Sequence, residues 1–212
     1  MEILSEISNA LIEGDHIKIT ELIDTALRIG ISYEEIYRKG LIKGMDVVGE
    51  KFKNNDIWMP EVMLSARAMN ACLEILEPLM QKSEGVNIGK FVIGTVEGDL
   101  HDVGKNMVVM MMKGAGFQVI DLGVNVSPER FIETIEKEKP QLMGMSSLLT
   151  TTMPKMAVTI EAIKKAGLRD RLKIMVGGAP VSQDFADDIG ADGYASDSAQ
   201  GVSKARELIG LK

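Results

Sequence analysis

The chain has 212 residues, 45% of them hydrophobic and 26% charged, ordinary proportions for a globular protein with one large core or two modest ones. A net charge of −7 argues against nucleic acid, whose binders present a basic face. The single cysteine, Cys72, excludes an internal disulfide and any cysteine-rich zinc site, and no apolar run reaches membrane-spanning length.

The opening Met-Glu-Ile-Leu-Ser-Glu has no basic region ahead of an apolar core, so no secretory signal is expected and the cytoplasm is the default compartment. From Met1 to about Lys82 the apolar spacing is helical throughout. Ile3, Leu4, Ile7, Ala10 and Leu11 form one stripe; Ile19, Leu22, Ile23, Ala26 and Leu27 form a second, stopped by Gly30. Ser32 to Glu35 reads as a capping box ahead of Tyr37, Leu41, Met45, Val48 and Phe52. A fourth helix is expected to open with Pro60 in its first turn and to bury Met59, Val62, Met63, Ala66, Met69, Leu73, Leu76 and Met80. Four amphipathic helices with short links predict a four-helix bundle. The join before the fourth helix, Asn54 to Pro60, carries the only tryptophan, Trp58. It reads either as a hydrophobic staple or as an apolar lid for a flat ligand. His16, among polar residues, reads as a surface histidine. Fifteen methionines against nine aromatics suit a core that is adaptable in shape.

Residues 85–89 have linker composition and divide a helical domain, 1–84, from a second domain, 90–212. Beyond them the rhythm alternates. Strands are expected near Lys90–Gly94, Phe117–Leu122, Gln141–Met145, Leu172–Val176 and Asp192–Tyr194. Helices are expected near Val103–Lys113, Pro128–Lys137, Thr152–Ala166, Ser182–Ile189 and Ser198–Ile209. That pattern predicts an α/β fold with a five-stranded parallel sheet in flavodoxin-like, Rossmann-like order.

Three loops then fall past the carboxyl ends of the central strands, where ligands of open α/β sheets sit. The first, Gly94 to Asn106, holds His101 between Asp99 and Asp102. On its own it reads equally as a solvated turn with Asp102 capping a helix. The second, Ser146 to Thr152, has five hydroxyls in seven positions. The third contains Gly177 and Gly178, either an ordinary turn or room for something bulky to approach the backbone.

Asp99-x-His101-x-x-Gly104, followed by Ser146-x-Leu148 and then Gly177-Gly178, resembles the signature of corrinoid-binding proteins. These include the cobalamin domain of methionine synthase and the corrinoid proteins of methylamine, methanol and aryl-ether methyltransferase systems. In the first half, Gly44-Met45-x-x-Val48-Gly49-Glu50-x-Phe52, Met59-Pro60 and Ser65-Ala66-Arg67-Ala68-Met69 resemble the helical cap that precedes this domain. The resemblance implies a cobalamin or related corrinoid as cofactor, with His101 as the protein's ligand to cobalt. Asp99 matches the acceptor behind that imidazole, and Thr152 matches the hydroxyl that completes the relay, a serine in methionine synthase. Asp102, Val103 and Gly104 are implied at the cofactor's displaced nucleotide tail, with Ser146, Leu148, Thr150, Gly177 and Gly178 around its pocket. Tyr194, Ala195 and Asp197, past the last strand, are implied at the tail's far end. Trp58, Met59 and Met63 are implied as a cover over the other cobalt face, moving about a hinge at Ser83–Gly89.

The implied function is methyl carriage. A donor held by a partner methyltransferase gives up its methyl group, and a second methyltransferase passes it to coenzyme M or tetrahydrofolate, with a reductive activase in support. Two corrinoid alternatives are a sensor and a mutase small subunit. Sensors carry a DNA-binding segment and a Glu-His pair where this chain has Ala68-Met69, and mutases need a large barrel. Outside the resemblance stand a receiver-like metal or phosphate site using Glu97, Asp99 and Asp102, and a zinc hydrolase, which would draw on more than one histidine or cysteine.

Overall fold

The structure, a computed structural model, describes residues 2–80 and 88–211. The expected linker and hinge lie outside the described residues except for Ile88 and Gly89. The chain divides into two compact units, Met1–Asn87 with Gly114–Gly116, and Ile88–Lys113 with Phe117–Lys212.

The first unit is helical. Helices α1 (Glu2–Ile12) and α2 (His16–Arg28) follow the two expected stripes, and Asp15 caps α2 by accepting from the Lys18 amide. Ser32 accepts from the Glu35 amide and opens α3 (Tyr33–Glu35), which runs on through a π-helical stretch, Ile36–Ile42, into α4 (Lys43–Lys53). The sequence pattern does not show the π turn. Tyr37 and Leu41 within it and Met45 just past it are nonetheless buried, as their spacing predicts. A Cβ at Gly40 would lie 2.9 Å from Ile7, and one at Gly44 2.8 Å from Leu11, so these glycines let α1 pack closely.

Helix α5 (Met59–Met80) has Pro60 in its first turn, as expected. Its buried face holds Val62, Ala66, Met69 and Leu76, but Met63 is 52% exposed and does not join it. Adjacent Leu64 is exposed too, so the apolar stripe of α5 is wider than the face it buries. Cys72 lies in this core, and burial pushes its thiol up to about 12. Among the described residues no helix is long and apolar enough to cross a membrane.

The second unit is a five-stranded parallel sheet. Strands β1 (Lys90–Thr95), β2 (Gln118–Asp121), β3 (Leu142–Ser146), β4 (Lys173–Gly177) and β5 (Gly193–Ala195) stand in the order β2-β1-β3-β4-β5. Helices α6 (Val103–Gly114), α7 (Pro128–Glu138), α8 (Pro154–Lys165), α9 (Gln183–Asp188) and α10 (Ser198–Leu208) connect and follow them. Alternate strand residues Val92, Met143, Met145, Ile174 and Val176 pack with Phe131 of α7 and Met156, Ile160 and Ile163 of α8. Each side chain of this kind contributes roughly 1.5–3 kcal/mol on full burial. Helix α8 starts at Pro154 rather than at Thr152. Proline suits the first helical position, where its missing N–H leaves no bond unmade, and Thr152 stays in the preceding turn.

Candidate functional site

Thr95, Ser146, Gly177 and Ala195, the last residues of β1, β3, β4 and β5, are register partners across the sheet. Four loops therefore leave from a single row. They bring the expected residues of the second unit to one edge although the sequence scatters them from Asp99 to Asp197.

Asp99 is fully buried, and both its carboxylate oxygens are engaged. Oδ1 accepts from the His101 amide at 3.0 Å and lies 2.8 Å from His101 Nδ1. Oδ2 accepts from the Leu148 amide and from Thr152 Oγ1, each at 2.8 Å. Burial alone pushes this carboxyl up. The hydrogen bonds from the amides of His101 and Leu148, then from the side chains of Thr152 and His101, outweigh it and hold Asp99 well below the usual carboxylate range. An ionised carboxylate only accepts, so His101 Nδ1 carries the proton. In the neutral imidazole the lone pair is then on Nε2, on a side chain that is 51% exposed.

Thr152 and Ser147 are 2.7 Å apart through their hydroxyls, and Ser147 Oγ is also 3.4 Å from Asp99 Oδ2. With one proton per hydroxyl, the shortest set of bonds runs from Ser147 to Thr152 to Asp99, and Asp99 accepts in turn from His101. Ser147 was not distinguishable in a run of five hydroxyls. Its one signal was position: it directly follows the last residue of a central strand.

Ser146 ends β3 half-buried, whereas Leu148 is 43% exposed and Thr150 is exposed. Val103 (77% exposed) and Gly104 open α6, and nothing lies within 4 Å of a Cβ built on Gly104, so the protein's own packing does not require glycine there. Gly178 differs. Its φ is +135°, and a Cβ on it would meet the Ser147 carbonyl oxygen at 1.9 Å, so the backbone that approaches it is the chain's own. Tyr194 and Ala195 are half-buried in β5, and Asp197 caps α10 by accepting from the Gln200 amide. Trp58, 71% exposed, Met59, half-buried, and Met63 belong to the first unit. Trp58 packs as no staple; its amide donates to Glu61 Oε2 at 2.6 Å, which fastens the start of α5.

The receiver-like and zinc readings find no support. Glu97 pairs with Lys155 at 2.6 Å, Asp102 accepts from Asn106 Nδ2, and Asp99 is spent on its donors. Among the described residues no three His, Cys, Asp or Glu side chains gather as a metal site.

The B12 binding domain family matches residues 89–203, and a second family of the same description matches residues 3–77. A corrinoid protein of Desulfitobacterium hafniense (strain Y51) is 43% identical, with 99% of each chain covered. Trimethylamine corrinoid protein 1 of Methanosarcina acetivorans is 42% identical over 98% of this chain and 97% of its own. Among solved structures, the methanol:cobalamin methyltransferase complex MtaBC of Methanosarcina barkeri superposes with a TM-score of 0.90. It is 29% identical and is covered over 100% of this chain and 81% of that one. A cobalamin-binding protein of Desulfitobacterium hafniense DCB-2 superposes at 0.80, with 30% identity and coverage of 97% and 98%. The family matches over both halves of the chain, and corrinoid-protein relatives more than 40% identical over nearly their whole length, place this chain in the B12 binding domain family, as one of the corrinoid proteins.

Proposed function

We propose that this chain is a methyl-carrying corrinoid subunit that works between two methyltransferases. One would hold the methyl donor, and the other would deliver the methyl group to coenzyme M or tetrahydrofolate, with a reductive activase supporting the carrier itself. A methyltransferase partner is supported by the likeness to MtaBC, and a methylated amine as donor by the trimethylamine relatives.

The residues present fit a corrinoid. One imidazole with a free Nε2, and no cluster of further metal ligands among the described residues, suits a metal that arrives already held in a ring. The open space at Gly104 and the exposed apolar Leu100, Val103 and Leu148 of the two loops suit a large, partly apolar ligand. When bound, the corrinoid supplies a cobalt centre able to act as the methyl nucleophile.

The protein supplies ligation and shelter. His101 would ligate cobalt through Nε2, while Asp99 keeps the Nδ1 proton in place and so fixes the tautomer. Thr152 helps to hold Asp99 anionic by donating to it, and Ser147 supports Thr152 by donating to its hydroxyl oxygen. Gly104, Ser146, Leu148, Thr150, Gly177 and Gly178 would take the nucleotide tail, with Tyr194, Ala195 and Asp197 at its end. Trp58, Met59 and Met63 would exclude water and oxygen from the other face of the metal.

The single observation that carries this reading is the 2.8 Å contact of His101 Nδ1 with buried Asp99. Reconstitution with hydroxocobalamin tests it. The absorbance should report a histidine-ligated, base-off corrinoid, and His101→Ala should abolish that spectrum while the apoprotein stays folded. A wild-type chain that retains no corrinoid, or retains it with benzimidazole on the metal, refutes the proposal.

A further inference from the structure

Lys105 lies one residue past the glycine of the histidine loop, yet its side chain is only 1% exposed. Its ammonium donates to Asp121 Oδ2 at 2.6 Å and to Asn106 Oδ1 at 2.7 Å. A buried ammonium is stable only where its partners are well placed, so this geometry is specific. Asn106 in turn donates to Asp102, the neighbour of His101, from side chain to side chain at 3.1 Å and from its amide to the Asp102 carbonyl at 2.7 Å.

Asp121 ends β2 and begins a loop that fastens the other end of the histidine loop. Its Oδ1 accepts from the Gly123 amide, and the Gly123 carbonyl accepts from the Thr95 amide. Two residues on, Asn125 stands in the left-handed region at φ 53°. From there its amide donates to the Asp99 carbonyl at 3.0 Å, and its Oδ1 accepts from the Gly98 amide at 2.7 Å. Thr95 Oγ1 donates to the His101 carbonyl at 2.9 Å and completes the ring. The histidine loop is thus held at Gly98–Asp99 by Asn125 and at the first turn of α6 by Lys105, and both holds trace to the loop that starts at Asp121.

We propose that Lys105 is a positioning residue. Its ion pair with Asp121 joins the two loops so that His101 stands ready before any cofactor arrives. The proposal rests on the corrinoid reading for its purpose, but the geometry it claims belongs to the apoprotein.

Hydrogen exchange of the apoprotein, together with hydroxocobalamin titration, tests it. In Lys105→Met, exchange of amides 98–103 should quicken tenfold or more while that of β4, residues 173–177, stays within two-fold. The dissociation constant for hydroxocobalamin should rise at least tenfold, and at saturation a smaller share of the bound corrinoid should show the histidine-ligated spectrum. Should Lys105→Met fail to fold, Asp121→Asn, whose side chain is 33% exposed, decides by the same readings with a smaller change, about three-fold. Unchanged exchange at 98–103, or an equal rise at 98–103 and 173–177, overturns the proposal. If the wild-type chain takes up no corrinoid, the function proposed above fails and the exchange result still decides the role of Lys105.

Discussion

The histidine loop of the second unit and the Trp58 join of the first both expose large apolar side chains, but they are built in opposite ways. In the loop that carries Leu100 and Val103, at 70% and 77% exposure, Asp99 is a buried carboxylate with both oxygens engaged, and the loop is fastened at both ends. At Trp58, 71% exposed, the bonds are those of a helix start, its amide donating to Glu61 Oε2 and its carbonyl accepting from the Glu61 and Val62 amides, and its ring is left outside the core. Exposure alone does not distinguish a loop braced by buried side-chain hydrogen bonds from a helix start held by its own backbone; the polar bonds under it do.

Breaking the rigid side should have the largest effect. Asp99→Ala removes a fully buried acceptor from the His101 and Leu148 amides, from Thr152 Oγ1, which keeps only the Leu149 carbonyl, and from the half-exposed His101 ring, so it should lower stability by about 3–5 kcal/mol in urea denaturation. Thr152→Val removes one donor and keeps the shape. It should lower stability by about 1–2 kcal/mol, and Thr152→Ser should restore most of the loss.

Acid sharpens the comparison. Asp99 ionises more readily folded than unfolded, so on acidification the unfolded chain takes up this proton first. Its contribution is therefore intact above the unfolded carboxylate value of about 4 and is lost as pH falls from there toward the folded value. The stability gap between wild type and Asp99→Asn should stay flat from about pH 7 to 5 and narrow below about pH 4. The smallest effect belongs to the open side. Trp58→Ala should change stability by less than about 0.5 kcal/mol, as exposed substitutions do, while the bound corrinoid, followed by absorbance, should reoxidise faster after reduction.

The strands were legible because short apolar runs between turn residues leave few alternatives to a covered parallel sheet, and every boundary lies within one residue of expectation. Asp99, His101 and Thr152 were legible as a set because the resemblance supplied a spacing, and the structure brings the three within hydrogen-bonding distance in a chain. Periodicity identifies an apolar stripe but not how much of it a neighbour covers, which is why Met63 was misjudged. Asn125 and Ser147 were missed for another reason. Each looks like an ordinary loop residue, and what sets it apart is a partner about fifty or fewer positions away in sequence that only the folded sheet brings near. The π turn left no mark because its side chains are those of any amphipathic helix.

The burial of Cys72 has a practical corollary. With the only native thiol of the chain closed to reagents, a cysteine introduced on the surface becomes the sole address for a chemical label. One spin or fluorescent probe in each unit, at Trp58 and at Leu149 for example, would turn the separation of cap and sheet into a ruler reading. That distance could be followed as corrinoid and partner proteins are added, without first replacing the native cysteine.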